Sequence, residues 1–109
     1  YVGYKTMKTA VIALTQNLAS AHADAGVRVN AILPGLMNTP MAIEARVAQG
    51  TPREDVIAMR NARVPLGNRM GTAWDVAYAA LFLHSDEAQF VSGIWLPVDG
   101  AAWASQGKY

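Results

Sequence analysis

The sequence predicts an α/β fold in which helices alternate with the strands of a parallel, doubly wound sheet. Three observations predict it. Apolar residues recur at spacings of three and four in several segments, two short runs are rich in β-branched and apolar residues, and the two kinds of segment alternate along the chain. Of the 109 residues, 52% are hydrophobic and 16% are charged, which is the balance of a globular protein.

The first predicted helix runs from Tyr4 to about Asp24, and Gly26 is placed to end it. Its apolar positions follow the helical period: Met7, Val11, Leu14 and Leu18. Residues 27–33 first alternate between apolar and polar side chains and then become wholly apolar; the segment is rich in β-branched residues, and Pro34 and Gly35 stop it. This pattern is typical of a buried parallel strand.

Residues 39–65 contain two short helical patterns, at 41–48 and 53–61, which Gly50-Thr51-Pro52 separates and Pro65 closes. We interpret this stretch as a mobile helical flap. Thr72 with Asp75 three positions later predicts a capping box for a helix that reaches about His84. Residues 94–98 form the second predicted strand, which ends at Asp99 and Gly100.

Two strands alone leave the edges and faces of a sheet uncovered. We therefore expect residues 1–109 to be the carboxyl-terminal half of a single domain whose amino-terminal part is absent, and not an independent folding unit. The net charge of +1 favours neither nucleic acid nor an anionic membrane as a partner. The absence of cysteine excludes disulfides and thiol chemistry, and no apolar run is long enough to span a membrane.

Tyr4 and Lys8 are one helical turn apart, as are Tyr1 and Lys5. An ammonium group beside a phenol favours the phenolate and so suits the phenol to transfer a proton near neutral pH. The same spacing also occurs on solvated helices that have no chemical role, so the spacing alone leaves both interpretations open. In an open α/β sheet, ligands bind beyond the carboxyl ends of the strands, where residues 34–39 are expected to lie.

We therefore expect Tyr4, Lys8 and the loop at residues 34–39 to converge on one place. The alternatives are an ordinary turn at Pro34-Gly35 and a helix cap at Thr39. No metal site is expected, because no ligand pattern accompanies the two histidines.

Three motifs together resemble the short-chain dehydrogenase/reductase family. They are Tyr4-x-x-x-Lys8, the segment Val-Asn-Ala-Ile-Leu-Pro-Gly at 29–35 with Thr39, and the segment Val-Ser-Gly-Ile-Trp-Leu-Pro-Val-Asp-Gly at 91–100. The resemblance covers nearly the whole chain and is weakest in the flap. Lys8 precedes Pro34 by 26 positions, the interval typical of the family, whereas Lys5 precedes it by 29, which favours Tyr4 and Lys8 as the active pair. Met7 departs from the small residue that commonly precedes the lysine.

The resemblance implies a Rossmann-like fold and an oxidoreductase that transfers a hydride between NAD or NADP and an alcohol or carbonyl substrate. Tyr4 would exchange a proton with the substrate oxygen, and Lys8 would stabilise the phenolate and bind the nicotinamide ribose. Further cofactor contacts would come from the loop that Pro34 and Gly35 shape, from the backbone of Met37 and from the hydroxyl of Thr39. The flap would close over the substrate, and its wall residues would be Met41, Ala42, Val47 and Met59. These residues could equally pack the flap helices against each other.

The glycine-rich turn and the catalytic serine of the family would lie upstream of Tyr1. The resemblance also implies a cytoplasmic homodimer or homotetramer, with residues 96–103 at the usual subunit interface. Two alternatives stay open. The chain could be a non-catalytic α/β fragment that only packs against a partner chain, or part of an epimerase or dehydratase of a related fold that also uses Tyr-x-x-x-Lys.

Overall fold

The computed structural model describes residues 2–105. Within this range, helices alternate with strands, as the α/β prediction requires. The helices are α1 (Val2–Ala21), α2 (Pro40–Ala48), α3 (Arg53–Asn61) and α4 (Ala73–His84), and a 3-10 turn follows at Asp86–Ala88. The strands are β1 (Ala31–Pro34) and β2 (Trp95–Val98).

The two strands pair with each other and run parallel: the hydrogen-bonded positions move toward the carboxyl end along both strands. The Ala31 N–H donates to the Ile94 carbonyl at 2.9 Å, and the Gly35 N–H donates to the Val98 carbonyl at 2.9 Å. β1 begins at Ala31, later than the predicted residue 27. The reason is that side chains make part of the pairing before it: Asn30 Nδ2 donates to the Val91 carbonyl at 2.9 Å, and the Val29 N–H donates to Ser92 Oγ at 3.2 Å.

The chain divides into two compact units, the first made of residues up to Leu33 together with Ala80–Leu96. In this unit α1 buries its small side chains, Thr15 and Ala19. Most of its larger apolar side chains are exposed, among them Met7, Val11 and Leu14. The turn after α1 ends at Gly26, whose φ of +74° is the left-handed conformation that favours glycine. The helix itself ends at Ala21, about three residues before the predicted end, and Gly26 closes the turn that follows it.

The second unit comprises Pro34–Ala79 and the described residues from Pro97 onward. Its core consists of the buried side chains Ile43, Val56 and Met70, with three half-buried neighbours packed around them: Leu36, Val47 and Ile57. This core joins α2 to α3 as a helical hairpin. Across the surface of the hairpin, the Arg53 guanidinium donates to both carboxylate oxygens of Glu44, at 2.6 and 2.9 Å.

Both helices of the hairpin lie where the sequence predicts them. α2 begins one residue early because Pro40 suits the first turn of a helix, and α3 has the predicted bounds. The hydrogen bonds with Arg53 are the main reason that the pKa of Glu44 is lowered, and those with Glu44 are the main reason that the pKa of Arg53 is raised. Both side chains are exposed, so the pair contributes to the geometry of the hairpin more than to its stability.

The predicted capping box lies at the start of α4. Of the two side-chain-to-backbone bonds that define a capping box, only the one to the Asp75 carboxylate forms. The Thr72 N–H donates to Asp75 Oδ2 at 2.7 Å, and the Asp75 N–H returns to the Thr72 carbonyl instead of its hydroxyl. The bond from the Thr72 backbone is the largest cause of the lowered pKa of Asp75; the Thr72 hydroxyl and the charge of Arg69 add to it, against a partial desolvation.

Candidate functional site

The first turns of α1 carry the predicted catalytic pair. Helical periodicity puts Tyr4 and Lys8 on one face, and the Lys8 ammonium lies 5.4 Å from the centroid of the Tyr4 ring, within the range of a cation–π contact. The Tyr4 side chain is 65% exposed. A phenol that is open to a substrate and has a cation one turn away is suited to proton transfer. Tyr1, the alternative to Tyr4, lies outside the described residues.

Gly35 begins the loop after β1, and the structure shows why glycine stands there. A Cβ atom at this position would lie 2.6 Å from the Asp99 Cβ and 2.7 Å from the Asp99 Cα. Only glycine allows the start of the loop to approach the end of β2 this closely. Pro34 ends β1 immediately before it.

Met37 is held by an isolated parallel bridge to Gly71. The Gly71 N–H donates to the Leu36 carbonyl at 3.0 Å, and the Asn38 N–H donates to the Gly71 carbonyl at 2.8 Å. In such a parallel bridge, Met37, the residue opposite Gly71, directs its own N–H and C=O groups away from Gly71. The Met37 carbonyl accepts from the Thr39 N–H at 3.1 Å, whereas within residues 2–105 the Met37 N–H has no acceptor.

Thr39 is the N-cap of α2, but its side chain does not cap the helix. Its carbonyl accepts the first bonds of the helix, from the backbone N–H groups of Ala42 and Ile43. The cap alternative therefore accounts for the backbone of Thr39 and not for its hydroxyl. Thr39 is half-buried, and both its hydroxyl, which does not cap the helix, and the Met37 N–H are left available for a polar ligand.

The predicted wall residues of the flap differ in their surroundings. Met41 is 90% exposed and Met59 is 51% exposed, so both side chains are available for contact with a substrate. Ala42 is half-buried. Val47 packs against the core of Ile43, Val56 and Met70, which gives it a packing role whether or not it also contacts a substrate.

The predicted site residues thus fall into two groups, each described within its own unit. Tyr4 and Lys8 belong to the first unit, and Pro34, Gly35, Met37, Thr39 and the flap belong to the second. The sequence analysis did not identify Gly71, because its bridge to Met37 joins two segments that no local pattern links. In residues 2–105 no three or more acidic or histidine side chains cluster in a way that could bind a metal ion.

None of the helices in residues 2–105 is long and apolar enough to cross a membrane.

Comparison with known proteins identifies the family. Residues 1–101 match the family model described as enoyl-(acyl carrier protein) reductase. The chain is 42% identical over 97 residues to the 2,5-dichloro-2,5-cyclohexadiene-1,4-diol dehydrogenase of Sphingobium indicum, covering 89% of this chain and 36% of that enzyme. It is 43% identical over 100 residues to the 3β-hydroxysteroid dehydrogenase 1 of Eggerthella lenta, covering 92% of this chain and 36% of the relative.

Among solved structures, ligand-free aldohexose dehydrogenase from Thermoplasma acidophilum superposes with a TM-score of 0.86 at 34% identity, covering 95% of this chain and 42% of that one. The chain belongs to the short-chain dehydrogenase/reductase family and has part of its α/β Rossmann-type fold. It spans less than half the length of these relatives.

Proposed function

We propose that this chain supplies the proton-transfer residues and part of the nicotinamide site of an NAD- or NADP-dependent oxidoreductase that acts on an alcohol or carbonyl group. The observation that carries the proposal is the Tyr4–Lys8 pair on α1, with the Lys8 ammonium 5.4 Å from the Tyr4 ring centroid, in a chain of this family. The named relatives that support the substrate class are dehydrogenases of a cyclohexadiene diol, a hydroxysteroid and an aldohexose, each of which carries a hydroxyl group on carbon.

The bound cofactor would supply or accept the hydride. Tyr4 would give a proton to the substrate oxygen in reduction and take it back in oxidation, so that no free alkoxide has to form. Lys8 would stabilise the phenolate form of Tyr4 and hydrogen-bond the nicotinamide ribose. The uncommitted N–H of Met37 would donate to the nicotinamide carboxamide, and the Thr39 hydroxyl would add a second polar contact.

Met41 and Met59 support the proposal that the α2–α3 hairpin shapes the substrate site, because both are large apolar side chains exposed on it. Thioether side chains adapt to irregular apolar surfaces, which suits a wall that contacts the non-reacting part of a substrate. The cytoplasmic location and the homodimer or homotetramer remain predictions.

The test is Tyr4→Phe in the full-length protein. Loss of the acid–base group should lower turnover by roughly 10²- to 10⁴-fold while cofactor binding survives. Tyr1→Phe is the matched control, since Tyr1 with Lys5 is the alternative pair of the same spacing, and it should stay within severalfold of the parent. If Tyr1→Phe abolishes turnover and Tyr4→Phe does not, Tyr1 with Lys5 is the active pair.

The same assay separates the alternatives. A dehydrogenase produces a net change in NAD(P)H absorbance as substrate is consumed. An epimerase or dehydratase would convert substrate without that net change, and a non-catalytic packing module would show neither activity nor cofactor binding.

A further inference from the structure

Asn61, the last residue of α3, holds the segment that precedes α4. Its Oδ1 atom accepts a hydrogen bond from the Met70 N–H at 2.8 Å. Asn61 is half-buried and Met70 is 4% exposed, so this bond is largely sheltered from water. Without the Asn61 acceptor, a buried N–H would be left unpaired, and the segment would have to move to satisfy it.

The residue after Met70 is Gly71, which pairs with the loop that follows β1. Both backbone groups of Gly71 are used in that bridge, one with Leu36 and one with Asn38. The position of Gly71 therefore sets the direction of the Met37 N–H, which faces away from the bridge. Met37 also covers Gly71 with its side chain, since a Cβ at Gly71 would lie 2.6 Å from the Met37 Sδ.

The other neighbour of Gly71 is held as well, because the Thr72 N–H donates to Asp75 Oδ2 at 2.7 Å. Gly71 thus lies between two backbone N–H groups that side chains from α3 and α4 hold in place. Of these two side chains, Asp75 also lies in the first turn of α4, and its loss would disturb that helix. Asn61 ends α3, so its bond to Met70 is the cleaner link to test.

We propose that Asn61 is a positioning residue for cofactor binding: by holding Met70, it sets the bridge between Gly71 and Met37 and so aims the Met37 N–H. The inference rests on the proposed function, in which that N–H donates to the nicotinamide carboxamide. Asn61 itself does not contact the cofactor. Its effect is therefore confined to ligands that carry the nicotinamide ring.

The experiment compares two ligands of the full-length protein by titration calorimetry. One is the oxidised dinucleotide that the parent binds, and the other is the matching ADP-ribose, with or without the 2′-phosphate, which lacks nicotinamide. For Asn61→Ala, the Kd of the dinucleotide should rise roughly 3- to 10-fold, the value of one hydrogen bond, while the Kd of ADP-ribose stays within about twofold.

Three further variants define the cause. Asn61→Asp keeps an acceptor oxygen at the same place and should restore dinucleotide binding to the parent level. Asn61→Leu fills the same space without an acceptor. If Asn61→Ala is too unstable to purify, Asn61→Leu replaces it, and the same changes in Kd are expected. Asn17→Ala removes an exposed amide on α1, for which residues 2–105 provide no hydrogen bond, and should bind both ligands as the parent does.

An equal loss of affinity for both ligands would overturn the inference, because it would show a general structural defect. Unchanged dinucleotide binding in Asn61→Ala or Asn61→Leu, or a loss in Asn61→Asp as large as in Asn61→Ala, would also overturn it. If the parent binds neither dinucleotide, the proposed function itself fails and the inference fails with it. If the parent binds and Tyr4→Phe loses turnover as expected, a negative result counts against Asn61 alone.

Discussion

At the residue scale, two basic side chains lie near the start of α1. Lys8 lies over the ring of Tyr4, whereas Lys5 belongs with Tyr1 in the alternative pair. A single ammonium group is assigned two tasks in the proposed mechanism, stabilising a phenolate and binding a ribose. Loss of the first task should lower the rate and loss of the second should lower the affinity for the cofactor, so one substitution can test both.

Lys8→Met in the full-length protein should lower turnover and also weaken cofactor binding, because the same ammonium serves both. The pH at which activity rises should move upward, since the phenolate loses its neighbouring cation. Steady-state kinetics across a pH series measures both effects. Lys5→Met is the matched control and should behave as the parent; a larger loss in Lys5→Met than in Lys8→Met would contradict the assignment.

Asp75 provides a second residue-scale prediction. Its pKa is lowered, above all by the bond from the Thr72 N–H, so its contribution to stability is present above the ordinary pKa of an aspartate, roughly 4, and is lost as the pH falls through the lower folded value. In the full-length protein, Asp75→Asn should therefore lower the Tm by a few degrees at neutral pH, and the difference from the parent should vanish in strong acid. Differential scanning calorimetry at several pH values measures it.

Asp24→Asn is the control for Asp75→Asn, because Asp24 is exposed in the turn after α1. Its Tm should follow that of the parent at every pH. A constant difference between Asp75→Asn and the parent down to the most acidic pH would show that the carboxylate charge is not what holds Thr72.

At the element scale, α2 and α3 form a hairpin whose inner side chains pack into a core while some outer ones stay exposed. Val56 is fully buried, and Ile43 is 2% exposed. Met41 and Met59 lie outside this core. A hairpin with its own core can keep its fold while its outer residues vary, which is what a substrate-selective element requires.

Met59→Ala in the full-length protein should change the relative kcat/KM among alcohols of different bulk by severalfold, because an apolar wall residue is truncated. Cofactor affinity should change less. Met59→Leu keeps most of the apolar volume and should stay closer to the parent. A larger change in cofactor affinity than in substrate selectivity would count against a substrate role for the hairpin.

At the scale of the whole molecule, the described residues bury little apolar surface. Val56 is the largest fully buried side chain in residues 2–105, and large apolar side chains are exposed on both long helices. On α1 they include Met7 and Leu14, and on α4 they include Trp74 and Leu81. The free energy gained by burying such a core is small compared with the cost of the conformational entropy that a chain of this length loses on folding.

We therefore expect residues 1–109, expressed alone, to lack a cooperative thermal transition as a monomer. Circular dichroism during heating, combined with sedimentation to give the mass, measures this. A sharp transition at monomeric mass would contradict the expectation, and a sharp transition at higher mass would show that a second copy covers the exposed side chains.

Local signals determined much of this structure. The helical period and the breaks around residues 50–52 predicted α2 and α3 nearly to the residue, and Gly26 predicted the turn that follows α1. The spacing of Tyr4 and Lys8 put both on one helical face. These features could be read from the sequence because each depends on residues within a few positions of one another.

Only the tertiary structure decided which distant residues meet. The approach of Gly35 to Asp99, the bridge between Met37 and Gly71 and the bond from Met70 to Asn61 each join separate segments of the chain. The start of β1 is another such case, because it depends on side-chain hydrogen bonds between residues 29–30 and residues 91–92. No local pattern encodes these pairings, since they arise only when packing brings the segments together. They determine where a backbone N–H points, and so which residues outside the motifs act on the proposed site.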